Sequence, residues 1–413
     1  MTFDILVKGG TLPDGRIADV AIADGKIAAV EAPIDAEAGE VVDAAGKLVS
    51  SPFVDPHFHM DATLSYGTPR VNASGTLLEG IALWGNLKAL QTREDIVARA
   101  LTYCRQGVTK GLLAIRSHVD VTDPNFKTVE ALLEVREHVR GILDLQLVAF
   151  PQDGWFRAEG GAAQVVRALD AGVDIVGGIP HFERTMADGA ASVRAACELA
   201  AQRGVRVDLH CDECDDPLSR HVETLAAETV RCGLQGRVAG SHLTSMHSMD
   251  NSYVAKLLPL IAEAEVAAIP NPLVNITLQG RTDTYPKRRG LTRVQELRSA
   301  GVRVAFGQDC VRDPWYPLGT GDMLDVAHMG LHVALMTDLD GMRAAFDMVT
   351  SAGAEVMGLD FGLEPGRRGS LVVIDASDPI EAIRLRPTRL CVISDGRIVA
   401  RSRPETCHLS AKF

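Results

Sequence analysis

Eight short, near-continuously apolar segments, most of them followed by a helical pattern, predict a (β/α)8 TIM barrel through the middle of this 413-residue chain. Strands read this way when both sheet faces are covered, as in parallel sheets. At both chain ends, shorter segments with tight-turn signals predict a small β-sandwich-like domain formed by the two termini. The predicted division is 1–48 with 366–413 for the β domain and 49–365 for the barrel.

The N-terminal part alternates loosely over Phe3–Lys8, and Asp24-Gly25 sits between Val20–Ala23 and Lys26–Val30 as a hairpin turn. Val41-Val42 adds a short strand. The unit is too small to be stable alone. Its counterpart is C-terminal, with strands at Gly369–Ile374, Leu390–Ser394 and Arg397–Ala400, the last two joined by Asp395-Gly396. Two hairpins of matching style at opposite ends are expected to join one sheet.

The first barrel strand is expected to end at His57. The others are expected at Gly111–His118, Asp144–Phe150, Val173–His181, Val205–His210, Arg237–His242, Val266–Asn271 and Val302–Asp309. Helical patterns fill the gaps, as at Arg93–Arg105, Val129–Val139, Gly161–Ala171 and Ala190–Arg203. An open doubly wound sheet is the competing topology, but no glycine-rich phosphate loop follows the first strand.

Composition narrows the partners. A formal net charge of -12 without a basic stripe argues against nucleic acid. No signal peptide and no membrane-length apolar run is visible, so a cytoplasmic protein is expected. The eight cysteines lack a disulfide-like spacing, in keeping with a reducing compartment. Cys211-x-x-Cys214 lacks the βαβ surroundings of a redox motif and is read as structural.

The chemistry is expected at the C-terminal strand ends, where barrels of this kind place their sites. His57 and His59 lie one residue apart and project to the same side of a strand, making half of a metal clamp. Strand five ends in His210, strand six in His242 and strand eight in Asp309. His57, His59, His210 and Asp309 form an N3O set suited to Zn2+ or Fe2+, leaving room for a water whose pKa the metal would lower. Asp309 is also placed to accept that water's proton, with His242 as a base or orienting group and Glu213 as a proton carrier. One metal is expected, because no lysine lies between Val173 and Glu183 to bridge two. His118 and His181 are either further site residues or buried structural histidines.

These segments resemble the amidohydrolase superfamily, and within it the bacterial cytosine deaminases. The resemblance rests on Pro56-His57-Phe58-His59-Met60-Asp61, Ser74-Gly75-Thr76-Leu77, Phe150-Pro151-Gln152, Ile179-Pro180-His181-Phe182-Glu183, His210-Cys211-Asp212-Glu213, Ser241-His242, Asn271-Pro272-Leu273-Val274-Asn275, the stretch 283–290, and Asp313-Pro314-Trp315-Tyr316-Pro317-Leu318-Gly319. It implies hydrolytic deamination of a free aminopyrimidine base, cytosine or 5-methylcytosine, by a single metal-bound hydroxide with loss of ammonia. Glu213 would protonate a ring nitrogen while His242 and Asp309 manage the water's proton. Gln152 would bond the amide-like edge of the ring, the backbone of Leu77 the opposite edge, and Trp315 would wall the pocket. The resemblance also implies a homo-oligomer.

One position departs from the pattern. The family usually has a second aspartate directly after the strand-eight ligand; here it is Cys310. A thiol facing the ring would leave a soft wall that tolerates a 5-methyl group; a thiol facing the barrel wall would change nothing. Related activities on isocytosine, creatinine or an aminotriazine remain open. A non-catalytic binding protein would have lost a ligand or the acid, and neither is lost.

Overall fold

The computed structural model describes residues 2–404, His408 and Ser410, so the remaining residues of the predicted 366–413 portion lie outside the described residues. Strands from both chain ends build one eight-stranded sheet. Its order is Arg397–Arg401, Arg389–Ser394, Leu371–Ile374, Leu48–Ser50, Phe3–Thr11, Ile17–Ala23 and Lys26–Glu31, with Ala38–Asp43 pairing alongside Phe3–Thr11. The period-two alternation sends Ile5 and Val7 to one face, with Val20, Ile22, Leu371 and Val373, and Leu6 to the other, with Ala21 and Ile34. The two Asp-Gly turns meet at Gly369. Its N–H donates to the carbonyl of Gly25 (2.7 Å), and its own carbonyl accepts from Gly396 (2.8 Å).

Seven parallel strands form a nearly closed barrel in chain order: Phe53–Phe58, Leu112–Asp120, Asp144–Phe150, Ile175–Gly178, Arg206–His210, Val238–Ser241 and Ala267–Ile269. The predicted eighth strand, Val302–Asp309, is not a continuous strand. It occupies the closing position through two isolated parallel bridges, Val304 to Ala268 and Asp309 to Phe58. There the Gln308 N–H donates to the Asp55 carboxylate (2.9 Å), a side chain of the first barrel strand, and not to a backbone carbonyl of that strand. The predicted fourth strand is also shorter than Val173–His181. Pro180, which has no N–H, opens a one-turn 3-10 helix over Pro180–Phe182, so His181 has left the strand.

Helices cover the barrel, among them Arg93–Thr109, Lys127–Val139, Gly161–Asp170 and Met186–Arg203. The helix Leu77–Leu90 precedes them at the mouth; Thr76 caps it by accepting the Glu79 N–H (3.2 Å). Inside the barrel, Arg116 and Asp208 form a buried ion pair at 2.9 Å, and Arg116 also reaches Gln146 and the carbonyl of Val356. None of the described helices is long and apolar enough to cross a membrane.

Candidate active site and metal centre

The strand ends bring the predicted ligands together. His57 and His59 straddle the end of the first barrel strand. The segment bearing Asp309 is clasped to it by two hydrogen bonds, Asp309 N–H to the His57 carbonyl (2.8 Å) and His59 N–H to the Asp309 carbonyl (2.9 Å). Nε2 of His57 and Nε2 of His59 each lie 3.4 Å from Asp309 Oδ1, and Nε2 of His210 is 3.0 Å from Nε2 of His59. Nitrogen and oxygen donors converging in this way can hold a divalent cation.

Two further observations fit a metal. His57 Nε2 is buried and has no hydrogen-bond partner among the described residues. Burial also pushes the His57 imidazole down to about 3 and that of His59 to about 4, and holds His210 well below its usual range. All three rings are therefore neutral near pH 7, the form that ligates.

The orientation of His57 is set from below. Its Nδ1 lies 2.8 Å from Ser241 Oγ, whose hydroxyl donates to Asp208 (2.7 Å), itself paired with Arg116. A hydroxyl has one proton, so Ser241 accepts from His57 Nδ1–H and leaves the Nε2 lone pair facing Asp309. Arg116, Asp208 and Ser241 escape a reading of strand ends because two of them point into the barrel from mid-strand.

His242 and Asp309 both adopt left-handed backbone, with φ of +69° and +68°. Such angles are costly for residues with a side chain and cluster at functional sites. Asn275 Oδ1 accepts the Asn271 N–H (2.9 Å), which turns Asn275 Nδ2 toward His242 Nδ1 (2.9 Å). Nδ1 is thus an acceptor and Nε2 carries the proton of a neutral ring, which burial keeps neutral. Glu213 Oε1 is 3.6 Å from His242 Nδ1. Burial, helped by the neighbouring Asp309, raises the Glu213 carboxyl well above the ordinary carboxylate range.

A cavity of about 290 Å3 opens beside these groups, lined in part by His59, His210, Glu213 and Asp309. All four predicted substrate-contact positions, Leu77, Gln152, Cys310 and Trp315, line the same cavity. Cys310 is thus one of the lining residues, with Sγ 3.7 Å from Asp309 Oδ1. Trp315 lies 5.9 Å from His59, centroid to centroid.

Other lining residues were not singled out by sequence. Phe150 stacks on His210 at 4.2 Å, and Val274 and Leu278 arrive on the short helix Pro272–Leu278. Their i, i+4 spacing directly after Asn271-Pro272 is the signal that marks that face. His118 is buried against the His57 ring, 4.2 Å between centroids, and is not part of the lining. His181 Nδ1 is 3.0 Å from the His210 carbonyl and 3.3 Å from the Glu213 N–H, so it braces the segment that carries both. Asp212 anchors the same segment by accepting from the backbone of His221 (2.9 Å) and from Ser219 Oγ (3.0 Å). Cys211 and Cys214 are both free thiols.

Known proteins resemble this chain over nearly its whole length. The chain is 40% identical to 5-methylcytosine deaminase from Klebsiella pneumoniae, crystallised with 5-fluorocytosine, with a TM-score of 0.95 over 98% of this chain and 100% of that one. It is 29% identical to N-isopropylammelide isopropylaminohydrolase from Burkholderia multivorans, with a TM-score of 0.84 over 97% and 99% of the two chains. It is also 29% identical to the N-isopropylammelide isopropyl amidohydrolase of Pseudomonas sp. (strain ADP), over 97% of this chain and 98% of that protein. The sequence profile of the amidohydrolase family matches residues 40–400, and the chain belongs to that family.

Proposed function

We propose that this chain hydrolytically deaminates a free aminopyrimidine base, 5-methylcytosine or cytosine, to thymine or uracil with release of ammonia. The observation that carries the reading is the single cavity on which Gln152, Leu77, Cys310, Trp315 and Glu213 converge beside His59, His210 and Asp309. The 40% identity to the Klebsiella 5-methylcytosine deaminase, over nearly the whole of both chains, supports the same substrate class.

In this reading His57, His59, His210 and Asp309 hold one divalent ion, Zn2+ or Fe2+. When bound, the ion supplies a Lewis acid that brings the ionisation of water to near-neutral pH. Glu213, whose acid form burial favours, donates to a ring nitrogen as oxygen adds to the amino-bearing carbon. Asp309 takes up the water's protons in turn, passing one to the departing amine and one back to Glu213, while the neutral His242 ring orients the adding oxygen, so that the C–N bond breaks and ammonia leaves. Gln152 and the Leu77 backbone bond opposite edges of the ring, which rejects analogues that leave those groups unpaired. Trp315 covers the ring, and Cys310 presents sulfur where a carboxylate is usual, leaving room for a 5-methyl group.

A related amidohydrolase acting on isocytosine, creatinine or an aminotriazine is the second reading, supported by the 29% identity to the N-isopropylammelide enzyme. The test is product release by the metal-loaded protein, ammonia from cytosine, 5-methylcytosine, isocytosine and creatinine, and isopropylamine from N-isopropylammelide. Turnover concentrated on the first two supports the proposal, and turnover confined to the others replaces it. The seven described cysteines are all free, which supports a cytoplasmic setting. The resemblance to cytosine deaminases extends the proposal to a homo-oligomer, to be checked by light scattering.

A further inference from the structure

We propose that Lys88 is a positioning residue that sets the width of the base pocket by tying its two walls together. The inference rests on the aminopyrimidine reading above and names the group that holds its specificity contacts apart. One wall is the helix Leu77–Leu90. Leu77, Gly80, Trp84 and Lys88 follow one another at helical spacing and so share a single stripe. Leu77 lines the cavity, Gly80 lies under Trp315, and the Trp84 ring sits 6.2 Å from that of Trp315. The other wall carries Gln152, on the loop after the third barrel strand.

Lys88 joins the two. Its ammonium donates to Asp120 Oδ2 (2.9 Å), Thr122 Oγ1 (2.9 Å) and Asp153 Oδ2 (2.8 Å), which uses all three of its protons. Asp153 is bonded in sequence to Gln152, so its anchor fixes the backbone from which Gln152 reaches into the cavity. Asp120 Oδ2 also accepts from Trp84 Nε1 (2.7 Å), and Asp153 Oδ2 from Thr122 Oγ1 (2.8 Å). The Lys88 side chain is 12% exposed and that of Asp120 2%, so their bond is shielded from water, while Asp153 on the other wall is 44% exposed. None of its partners is a candidate metal ligand. Lys88 thus fixes the helix bearing Leu77 relative to Gln152 while leaving the metal centre alone.

The test uses full-length, metal-loaded enzyme and the variants Lys88→Met, Asp153→Asn and the pair. In Lys88→Met, KM for 5-methylcytosine is expected to rise about tenfold with kcat changed by less than about twofold and metal content unchanged, the pattern of lost ground-state positioning. Asp153→Asn is expected to raise KM about threefold, and the double variant to be no worse than Lys88→Met, because the two residues act through one contact. The inhibition constant of 4-aminopyrimidine, which lacks the carbonyl Gln152 would bond, is expected to stay within about twofold of wild type. A loss of packing alone would weaken both ligands together. Unchanged KM, additive effects, or equal weakening of 4-aminopyrimidine overturns the role of Lys88. Asp153→Asn keeps Lys88 paired with Asp120 and Thr122, so it carries the test if Lys88→Met does not fold. Wild-type turnover of cytosine and 5-methylcytosine is measured first. An inactive wild type overturns the functional reading, whereas an active wild type with unresponsive variants overturns the Lys88 inference alone.

Discussion

Gly80 lies so close under Trp315 that a Cβ added to it would stand 2.2 Å from Trp315 Cδ1. The indole has little freedom to yield, since it packs between His59 and Trp84 at centroid distances of 5.9 and 6.2 Å. Gly80→Ala is therefore expected to drive the ring into the cavity. Overpacking of this kind costs about 1–3 kcal/mol of stability. The expected signature is a KM raised by about tenfold alongside a lower urea midpoint. A variant with parental KM would show that Trp315 does not limit the pocket.

Ser241 never faces the substrate cavity, yet it sets the tautomer of His57. Ser241→Ala removes the acceptor for Nδ1–H and breaks the link to Asp208 and Arg116. Loss of such a partner typically costs about 10–100-fold in metal affinity. Metal content after dialysis against graded chelator should fall accordingly, with the folded fraction by circular dichroism little changed. Retention equal to wild type would mean that His57 is oriented by packing alone.

How much of this was legible in sequence depends on the range of the interactions. His57, His59, His210, His242 and Asp309 are readable because each sits at a strand end, where local periodicity and barrel topology act together. Asp55 is not readable as the group that clasps Gln308, because its partner is far away in sequence and the apolar run at 302–306 looks like any buried strand. Arg116 and Asp208 face the same obstacle, since neither strand shows its charge's partner until the barrel closes. Lys88 resembles a solvated charge at the end of a helix until two loops cover it. The left-handed backbone at His242 and Asp309 is equally invisible, because the tertiary hydrogen bonds around them impose it against local preference.

Glu213 is raised well above the ordinary carboxylate range, first by burial and then by Asp309, which favours its acid form. Glu213→Gln keeps the size and hydrogen-bonding capacity of that form but cannot release a proton. Turnover is expected to fall by about 10²–10⁴-fold, the usual worth of a general acid-base group, with metal content unchanged. Near-parental turnover in this variant would remove Glu213 from proton transfer.

Asp313 makes a separate, pH-dependent prediction. Burial lifts its carboxyl from 3.8 to about 7, while Oδ1 accepts the N–H groups of Trp315 and Tyr316 at 2.9 Å each. Between those two pH values the folded protein keeps a proton that the unfolded chain has released. Its contribution to stability is thus complete below pH 3.8 and is lost as pH rises through about 7. Asp313→Asn preserves the accepting oxygen and never ionises. The difference in Tm, variant minus wild type, should grow in the variant's favour from pH 4.5 to 7 and then level off. A difference that does not vary with pH would show that Asp313 is ionised in the folded protein.

The proposed aminopyrimidine reading makes Cys310 the residue that decides which base fits best. It is a lining residue whose sulfur lies 3.7 Å from Asp309 Oδ1, where a carboxylate would add charge beside an existing acid and take up a hydration shell. A methyl group gains contact with sulfur and loses it against a solvated carboxylate. The swing available from one methyl is about 1–3 kcal/mol, or roughly 10–200-fold. Cys310→Asp should therefore lower the ratio of kcat/KM for 5-methylcytosine over cytosine by at least about tenfold. Part of the change should come from a gain on cytosine, because the new carboxylate can accept a hydrogen bond from the amino group. Steady-state kinetics on both bases with one enzyme preparation gives the ratio free of errors in active-site concentration. An unchanged ratio would mean that the 5-position is read elsewhere on the cavity wall, with Val274, Leu278 and Ile179 as the next apolar residues to replace.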